Sequence, residues 1–298
     1  MTRVLDSFKI QKDGKILDYR LGENLNLDKI KDYFRKNYYV KKLWQGSRHI
    51  LGILEKDNVI YFLKLSTSEG ISTVTKNEYK WNEFFNKNFL NKNFVVPKNY
   101  DSGIYQQKYF YIITDYFKGE LLCDVKKFIP QVIKLSELIQ KLPGKEVDFQ
   151  EKFMDKTEKW FGDIPVDISK KYDIKTLFKI AEDGIIKLSA KVRHGDFTPW
   201  HLIKLPDGKL GLIDGEHFLV NGVENYDICY FIQRVFSVLK NPDIAKEIYN
   251  KLLEKGSRVD KLRVVLAARA IGGFLDESLS EKPDYKFAQK FKDWILRL

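Results

Sequence analysis

The stretch VRHGDFTPWHLIKLPDGKLGLIDGEHF, residues 192–218, places a His-Gly-Asp triplet, a second histidine and an Asp-Gly-Glu triplet among short apolar runs. VRHGD, HLIKL and LGLIDG are typical of short strands, and LPDG at 205–208 supplies the turn between the last two. Asp196 follows the first strand, where a loop would expose its carboxylate. Asp214 ends an apolar strand in a turn that a glycine makes possible. The stretch therefore predicts two acids at strand ends, joined by a hairpin.

The two acids suit different tasks in one reaction. A carboxylate at Asp196 can accept the proton of an attacking hydroxyl. Asp214, with Glu216 two residues later, offers the oxygen ligands that Mg²⁺ prefers. A base and a metal ligand together are what phosphoryl transfer needs. Each triplet alone is an ordinary turn sequence, but the two at this spacing favour a catalytic site.

The rest of the chain predicts an α+β protein. Asp13-Gly14 lies between two alternating runs, which is typical of a hairpin, and Asn26 is a candidate N-cap of the helix that follows. Strand patterns cover residues 39–65 and 94–117, a helical pattern covers 75–90, and helical spacing dominates 120–190 and 225–298. A mainly antiparallel first part followed by a helical second part is therefore expected.

The pair HGDFTPW and LIDGE resembles the catalytic and metal-binding segments of the aminoglycoside phosphotransferase and choline kinase family. These are small-molecule members of the protein-kinase-like superfamily. The resemblance spans residues 40–235 and implies a bilobal protein-kinase-like fold. Residues 1–117 would form a nucleotide-binding N-lobe, an antiparallel β-sheet with a helix. Residues 118–298 would form a mainly helical C-lobe that holds the catalytic loop and the acceptor.

The same resemblance implies a small-molecule kinase. Such an enzyme moves the γ-phosphate of ATP or GTP to a hydroxyl of a small acceptor, with Mg²⁺ as cofactor. In this interpretation Asp196 is the catalytic base and Asp214 is a metal ligand. Asp227 would brace the catalytic loop through hydrogen bonds, and His194 would order the same loop.

A kinase-like site also needs a strand lysine for the α- and β-phosphates and a helix glutamate to orient it. VIYFLKLS offers Lys64 on an otherwise apolar strand, and Glu78 follows 14 residues later in a helical pattern. Taken alone, Lys64 would be an outward strand lysine and Glu78 a solvated helix charge. Their order ahead of His-Gly-Asp favours the functional interpretation.

Two further segments are candidate nucleotide contacts. Gly46 and Ser47 lie in the break between two predicted strands, LWQGSRHILGIL. Their backbone amides and the Ser47 hydroxyl would hold phosphate oxygens, although a plain hairpin turn explains the same residues. By the resemblance, YFYIITDYFKGELL would contact adenine through backbone groups around Asp115 and Phe117.

The sequence departs from the family pattern at His201, which stands where the family has a metal-binding asparagine. An imidazole nitrogen is a poor ligand for Mg²⁺ and a better one for Mn²⁺, so Mn²⁺ becomes an alternative cofactor. Three interpretations compete. His201 binds the metal through its neutral ring. It donates to phosphate while Glu216 helps Asp214 to hold the metal. Or a second metal is lost and activity is weak or absent.

The composition restricts the class of protein. An apolar share of 44% and an aromatic share of 14% exclude a disordered chain. Cys123 and Cys229 are too few for a disulfide framework or a zinc cluster, which favours a reducing compartment. The sequence shows no apolar run fit for a signal peptide or a membrane span. A cytoplasmic protein without membrane contact is therefore expected.

The formal net charge of +11 raises the question of nucleic acid. The excess lies in residues 1–118, which hold 21 Lys and Arg against 13 Asp and Glu, scattered over Lys-Asn-rich segments. Nucleic acid is therefore not an expected partner, whereas an anionic nucleotide would be attracted. The other alternative is a pseudokinase, a nucleotide-binding or scaffolding module without transfer activity, which His201 would favour. The acceptor's identity, the choice between ATP and GTP and the oligomeric state stay open.

Overall fold

The structure is a computed structural model that describes residues 5–89, 91–122 and 124–298. Cys123 lies outside the described residues, and Cys229 is a buried free thiol. Over the described part of the chain, the helices are too short or too polar to cross a membrane.

The chain forms two compact units. The sheet unit comprises Phe8–Leu121 and Leu202–Phe218. The helical unit comprises Leu122–His201 and Leu219–Leu298, with the N-terminal segment up to Ser7. Each unit therefore contains two or more separate stretches of sequence. The division into lobes at residues 117 and 118 stays a prediction.

The secondary structure alternates between strands and helices along the chain. In chain order the strands are β1 (Lys9–Lys12), β2 (Lys15–Asp18), β3 (Tyr39–Gln45), β4 (His49–Lys56), β5 (Val59–Ser66), β6 (Phe94–Val95), β7 (Asn99–Tyr105), β8 (Tyr109–Asp115), β9 (Glu120–Leu121), β10 (Ala190–Arg193), β11 (Leu202–Lys204), β12 (Leu210–Leu212) and β13 (Leu219–Val223). The helices are α1 (Leu27–Phe34), α2 (Glu69–Asn88), α3 (Val125–Ile139), α4 (Phe149–Asp163), α5 (Val166–Lys171), α6 (Ile174–Gly184), α7 (Tyr226–Gln233), α8 (Pro242–Glu254), α9 (Val259–Ser278) and α10 (Lys286–Leu296).

The sheet unit is built on an antiparallel sheet with the strand order β3-β4-β5-β8-β7. One face of the sheet packs on α1, where Ile30 and Phe34 join a core with Leu54, Leu63 and Ile113. Each of these five side chains is at most 3% exposed. Their burial anchors β5, the strand that carries Lys64.

The predicted hairpin turn at Asp13-Gly14 is confirmed, and it shares left-handed backbone with a second hairpin turn, between β4 and β5. Asp13 and Gly14 have φ of 49° and 73° between β1 and β2. Asp57 and Asn58 have φ of 52° and 61° between β4 and β5. Positive φ at both central residues is the type I′ turn, whose twist matches that of paired strands.

The two helices of the sheet unit begin with side-chain caps. Asn26 accepts a hydrogen bond from the Lys29 amide at 3.0 Å, as predicted. The second helix, α2, begins at residue 69 rather than at 75, because Ser68 caps it. Gly70 concealed this start, since glycine weakens a helix. Its place is required by packing: a Cβ there would lie 2.6 Å from the Asp18 carbonyl oxygen.

A second, mixed sheet has the strand order β6-β12-β11-β9. β11 and β12 form the predicted hairpin, and its turn is closed by the Gly208 amide, which donates to the Leu205 carbonyl at 3.0 Å. β12 also pairs in parallel with β6. These pairings hold the end of β12, from which residues 213–216 follow.

In the helical unit a small antiparallel pair, β10 and β13, leads into the predicted catalytic loop. α9 is the central helix, buried from Leu262 to Leu275 except at Arg263, and it packs against α4, α6, α7 and α10. With antiparallel sheets in the N-terminal region and helices in the C-terminal part, the α+β prediction is confirmed.

Candidate active site

Lys64 is the centre of a buried ionic group in the sheet unit. Its Nζ lies 2.6 Å from Glu78 Oε2 and 2.6 Å from Asp214 Oδ1. Burial alone lowers the pKa of the Lys64 ammonium, but the charges of Asp214 and Glu78 outweigh burial and raise that pKa above its ordinary value. The sequence-predicted lysine, glutamate and metal-binding aspartate are thus in direct contact, with Lys64 charged.

Glu78 is presented by α2, whose inner face is buried. The side chain of Glu78 is 9% exposed. Burial raises the pKa of its carboxyl above the ordinary value, while the Lys64 charge lowers it. A carboxylate in this position aligns the lysine from one side, which leaves the other side of the ammonium for Asp214.

Asp214 owes its position to an unusual backbone conformation. Its φ is +67°, in the left-handed region that aspartate tolerates better than most residues. Gly215 follows in tight contact with α2, because a Cβ there would lie 2.1 Å from Trp81 Cδ1. Asn77, also on α2, donates its Nδ2 hydrogens to the carbonyls of Glu216 and Phe218, each at 2.9 Å. One helix therefore supplies Glu78 and also clamps the turn that carries Asp214.

Arg48 is a member of this group that sequence reasoning missed. Its Nη2 lies 2.6 Å from Glu216 Oε1. Arg48 comes directly after Gly46 and Ser47 in the turn between β3 and β4. Its place beside a predicted phosphate-binding turn could have identified it as a candidate site residue from the sequence. Ser47 is exposed, and the Gly46 amide donates to the His49 carbonyl at 2.7 Å.

One carboxylate oxygen of Glu216 is available to bind a cation. The residue is 3% exposed, and its Oε2 is buried without a hydrogen-bond partner among the described residues. Burial and the charge of Asp214 raise the pKa of its carboxyl. Glu78, Asp214 and Glu216 together carry one more negative charge than Lys64 and Arg48 supply. This donor set, rich in carboxylate oxygens, fits a hard divalent cation.

Asp115 and Phe117 lie at and just beyond the end of β8. Both oxygens of the Asp115 carboxylate are engaged, with the Lys98 amide and the Tyr100 hydroxyl each donating at 2.8 Å. The Phe117 ring lies against Gly211, where a Cβ would approach it to 2.6 Å. The side chains of both residues thus have structural partners, and the Asp115 amide donates to the Lys98 carbonyl at 3.1 Å. The nucleotide contact through backbone groups stays a prediction.

In the helical unit the predicted catalytic loop follows β10. Asp227 accepts hydrogen bonds from the amides of His194 at 2.8 Å and Gly195 at 2.9 Å. The Asp196 amide donates to His194 Nδ1 at 3.3 Å, and Gly195 has φ of +88°. Asp227 therefore braces the loop and His194 orders it, so both predictions are confirmed.

His201 contacts the backbone of the same loop. Its Nδ1 lies 2.8 Å from the Asp196 carbonyl oxygen and 3.6 Å from Asp196 Oδ2. A carbonyl oxygen only accepts, so Nδ1 carries the hydrogen. In the neutral ring the lone pair is then on Nε2, the form in which histidine binds a metal. His201 thus has the tautomer that a metal ligand needs.

The sequence matches no protein-family model and no curated protein. Solved structures do match the fold. A thermostable mutant of the aminoglycoside phosphotransferase APH(4)-Ia, in a ternary complex with AMP-PNP and hygromycin B, aligns with a TM-score of 0.67 and 14% identity, over 90% of this chain and 97% of its own. The choline kinase LicA from Streptococcus pneumoniae aligns with a TM-score of 0.58 and 15% identity, over 91% of this chain and 97% of its own.

The chain has the fold of these small-molecule kinases. The bilobal protein-kinase-like fold predicted from HGDFTPW and LIDGE is therefore confirmed. Within this kinase-like fold, Lys64 and Glu78 lie on the third strand of the main sheet and on the helix that follows it. Asp196 and His201 lie together in the helical unit.

Proposed function

We propose that the chain is a phosphotransferase that moves the γ-phosphate of ATP or GTP to a hydroxyl group of a small molecule. The observation that carries the proposal is the Lys64 ammonium held between Glu78 and Asp214, at 2.6 Å from each. A buried lysine oriented by a helix glutamate is the arrangement that kinases use to hold phosphates. We place this activity in the cytoplasm.

In this proposal the sheet unit binds the nucleotide. Lys64 donates to the α- and β-phosphate oxygens, while Glu78 keeps the ammonium in position. In the turn at Gly46, the Ser47 amide and hydroxyl and the Arg48 guanidinium contribute donors to the phosphates, while the Gly46 amide closes the turn on the His49 carbonyl. The adenine contacts backbone groups around Asp115 and Phe117.

Magnesium would be held by Asp214, with Glu216 or His201 as a further ligand. The excess negative charge of the carboxylate group and the buried, unpartnered Glu216 Oε2 support this assignment. Bound there, the metal would neutralise charge on the phosphate oxygens. The tautomer of His201 is compatible with Mn²⁺ as a substitute.

Asp196 would act on the acceptor. Its carboxylate accepts a hydrogen bond from the acceptor hydroxyl and takes the proton as that oxygen bonds to the γ-phosphorus. The bond between the γ-phosphorus and the bridging oxygen breaks, and the nucleoside diphosphate leaves. Most of the rate enhancement would come from positioning and from charge stabilisation.

The first experiment is a melting-temperature matrix with ATP or GTP, each with Mg²⁺, with Mn²⁺ and without metal. A nucleotide at 100 times its dissociation constant should stabilise the fold by about 2.7 kcal/mol. A metal-dependent rise supports the nucleotide site, and the preferred metal tests the role of His201. Absence of any rise in the folded protein would overturn the proposal.

The second part of the test separates transfer from binding. ADP formation is measured with pooled hydroxylated acceptors, and with water alone as the acceptor, for the wild type and for Asp196→Asn. Loss of the base should slow ADP formation by about 10²- to 10⁴-fold and leave the nucleotide-induced melting shift intact. Asp207→Asn, an exposed acid in the hairpin turn, is the control that should keep full activity. A nucleotide shift without ADP formation in the wild type would identify a pseudokinase instead.

A further inference from the structure

The sheet unit contains a groove between the helix α1 and the strand β3 that the proposed reaction does not use. A cavity of about 340 Å³ lies in this groove. Its apolar lining belongs to the core of the unit or packs against that core, and the rest of its lining is charged. The apolar residues are Leu27, Val40 and Leu43, and the charged residues are Asp28, Lys31, Lys41 and Lys42.

β3 is an edge strand of the main sheet. It pairs with β4 on one side, and over the described part of the chain no strand pairs with its other side. Four consecutive residues of β3, 40–43, line the cavity. Because neighbouring side chains of a strand point to opposite faces, a cavity that contacts all four lies along the edge of the strand rather than under one face. The cavity therefore adjoins backbone groups that an added strand could pair with.

The charged side chains of the groove carry an excess of positive charge. Lys41 is paired with Glu55, its Nζ lying 2.6 Å from Oε2. Among the described residues, no acidic oxygen lies within 4.0 Å of the ammonium groups of Lys31 and Lys42. Asp28 is the one acid among the lining residues. An occupant that carries carboxylates would therefore be attracted to the groove.

The lysines of β3 restrict what can pair with this strand. Lysine on an edge strand opposes pairing with apolar strands, and like charges directly opposite each other destabilise a sheet. A second copy of this chain would bring its own Lys41 and Lys42 to the same edge, so pairing of β3 with itself is disfavoured. An acidic strand instead gains cross-strand pairs of opposite charge. The groove therefore selects an acidic partner by repelling the others.

The groove is preformed, because α1 is fixed on the sheet. Ile30 and Phe34 on its inner face are 0% and 3% exposed, and Asn26 caps its first turn. A groove between a helix and an edge strand is suited to an extended peptide: backbone hydrogen bonds to the edge supply affinity, and pockets for side chains supply specificity. A rigid groove also lowers the cost of ordering on binding.

We propose that the groove between α1 and β3 binds an extended acidic segment of a partner protein. The segment adds to the main sheet as a strand beside β3 and places an apolar side chain in the cavity against Leu27 and Leu43. Its carboxylates lie beside Lys31 and Lys42. The groove shares no residue with the proposed nucleotide site, so this interaction does not depend on phosphoryl transfer.

The test measures peptide binding to the full chain by fluorescence anisotropy. The probes are labelled heptapeptides with two glutamates at each end and a centre of valine, then leucine or phenylalanine, then valine. They should bind the wild type, more weakly as salt rises, because the ion pairs are exposed. The same peptides with lysine in place of glutamate should not bind. Methylation of two adjacent central amides should abolish binding, since alternate amides of a strand face its partner.

The double variant Lys31→Glu with Lys42→Glu locates the site. Two attractions become repulsions, so the affinity for the acidic peptides should fall by about 10- to 100-fold. Lys80→Glu is the matched control, since Lys80 is an exposed lysine on α2 in the same unit, without an acidic partner among the described residues. It should bind the peptides as the wild type does. Melting temperatures establish that each variant is folded.

Failure of both acidic peptides to bind the wild type would overturn the proposal, as would binding that survives the double variant. Equal binding of the methylated peptides would reveal a contact between charges without strand pairing, which also overturns it. So would equal competition by a single-stranded oligonucleotide of matched charge, the mark of a general polyanion surface. Dimerisation of the wild type that the double variant abolishes, measured by sedimentation without peptide, would assign the groove to a second copy instead. None of these readouts needs a nucleotide, so they are separate from a failure of ATP to bind or react.

Discussion

Two buried cations in this molecule are stabilised in different ways. Lys64 lies between two carboxylates at 2.6 Å each, within a group that carries excess negative charge. Arg269 lies between aromatic rings, with its guanidinium carbon 4.6 Å from the centre of the Trp160 ring and 3.6 Å from that of Tyr230. Both are nearly inaccessible to solvent, at 7% and 3% exposure.

This difference determines which ligand can bind beside each cation. A lysine paired with carboxylates gains little from a further anion unless a metal takes one carboxylate away, so phosphate and metal should bind together. An arginine faced by rings keeps its charge, and no ion pair has to be broken before an anion can bind nearby. The first group therefore suits a metal–nucleotide complex, whereas Arg269 keeps its position through ring contacts without a partner of opposite charge.

The largest expected effect tests the carboxylate-paired cation. Lys64→Met leaves the buried Glu78 and the half-buried Asp214 without their common partner. The free energy of unfolding at pH 7 should fall by about 3–5 kcal/mol. Urea denaturation measures it, with the m-value as a check on two-state behaviour.

Lys41→Met is the control for this variant. Lys41 is a partly exposed strand lysine that lies 2.6 Å from Glu55. Removing a surface ion pair of this kind should change stability by less than about 1 kcal/mol. Equal losses in the two variants would contradict the view that the buried carboxylates depend on Lys64.

An intermediate effect concerns Asp227, the buried acid that accepts hydrogen bonds from the amides of His194 and Gly195. Burial raises the pKa of its carboxyl to about 6 from an ordinary value of 3.8. The folded chain thus binds this proton more tightly than the unfolded chain. The stability contribution is fully present below pH 3.8 and is lost as the pH rises to about 6. Across this window the wild type should lose about 2–3 kcal/mol relative to Asp227→Asn, which cannot titrate.

Denaturation curves of both proteins at half-unit pH steps measure this difference. Comparison with the variant cancels the contribution of the other acids. A stability difference that stays flat, or that grows in favour of the wild type as the pH rises, would mean that the Arg193 charge and the backbone amides compensate for the burial of Asp227. Asp227 would then be stabilised as an ion, as Lys64 is by its carboxylates.

The smallest expected effect tests the ring-faced cation. Arg269→Met removes a buried charge without leaving a carboxylate behind, and the methionine side chain can pack on the same rings. The loss is limited to cation–π contacts and one hydrogen bond to Tyr226, so unfolding should become easier by less than about 2 kcal/mol. A loss as large as that of Lys64→Met would show that Arg269 is paired as strongly as the lysine.

Parts of the site could be predicted from the sequence. Lys64 and Glu78 were candidates because a strand lysine and a glutamate on the next helix precede the His-Gly-Asp triplet, in the order that the family resemblance implies. Asp214 could be predicted because a glycine follows an apolar strand end. The main sheet and its hairpins followed from alternation and from Asp-Gly and Asp-Asn turns.

The contacts that were missed join distant parts of the chain. Arg48 and Glu216 are separated by 168 positions, and Asn77 reaches the carbonyl of Phe218 over 141. Neither pairing leaves a periodic trace in the sequence. The ring contacts of Arg269 were missed for the same reason, since Arg269, Trp160 and Tyr230 lie on three different helices. Tertiary packing alone brings such residues together.

The left-handed backbone at Asp214 limits what a library of variants at this position can reveal. Asparagine and glycine adopt that conformation readily, whereas most other residues cost about 1–2 kcal/mol there before any side-chain chemistry is considered. Loss of activity in a valine or glutamate variant would therefore report a displaced turn as much as a missing ligand. Asp214→Asn keeps the shape of the turn and removes only the charge. In a mutational scan, the phenotype of Asp214→Asn can therefore be assigned to the chemistry of the carboxylate.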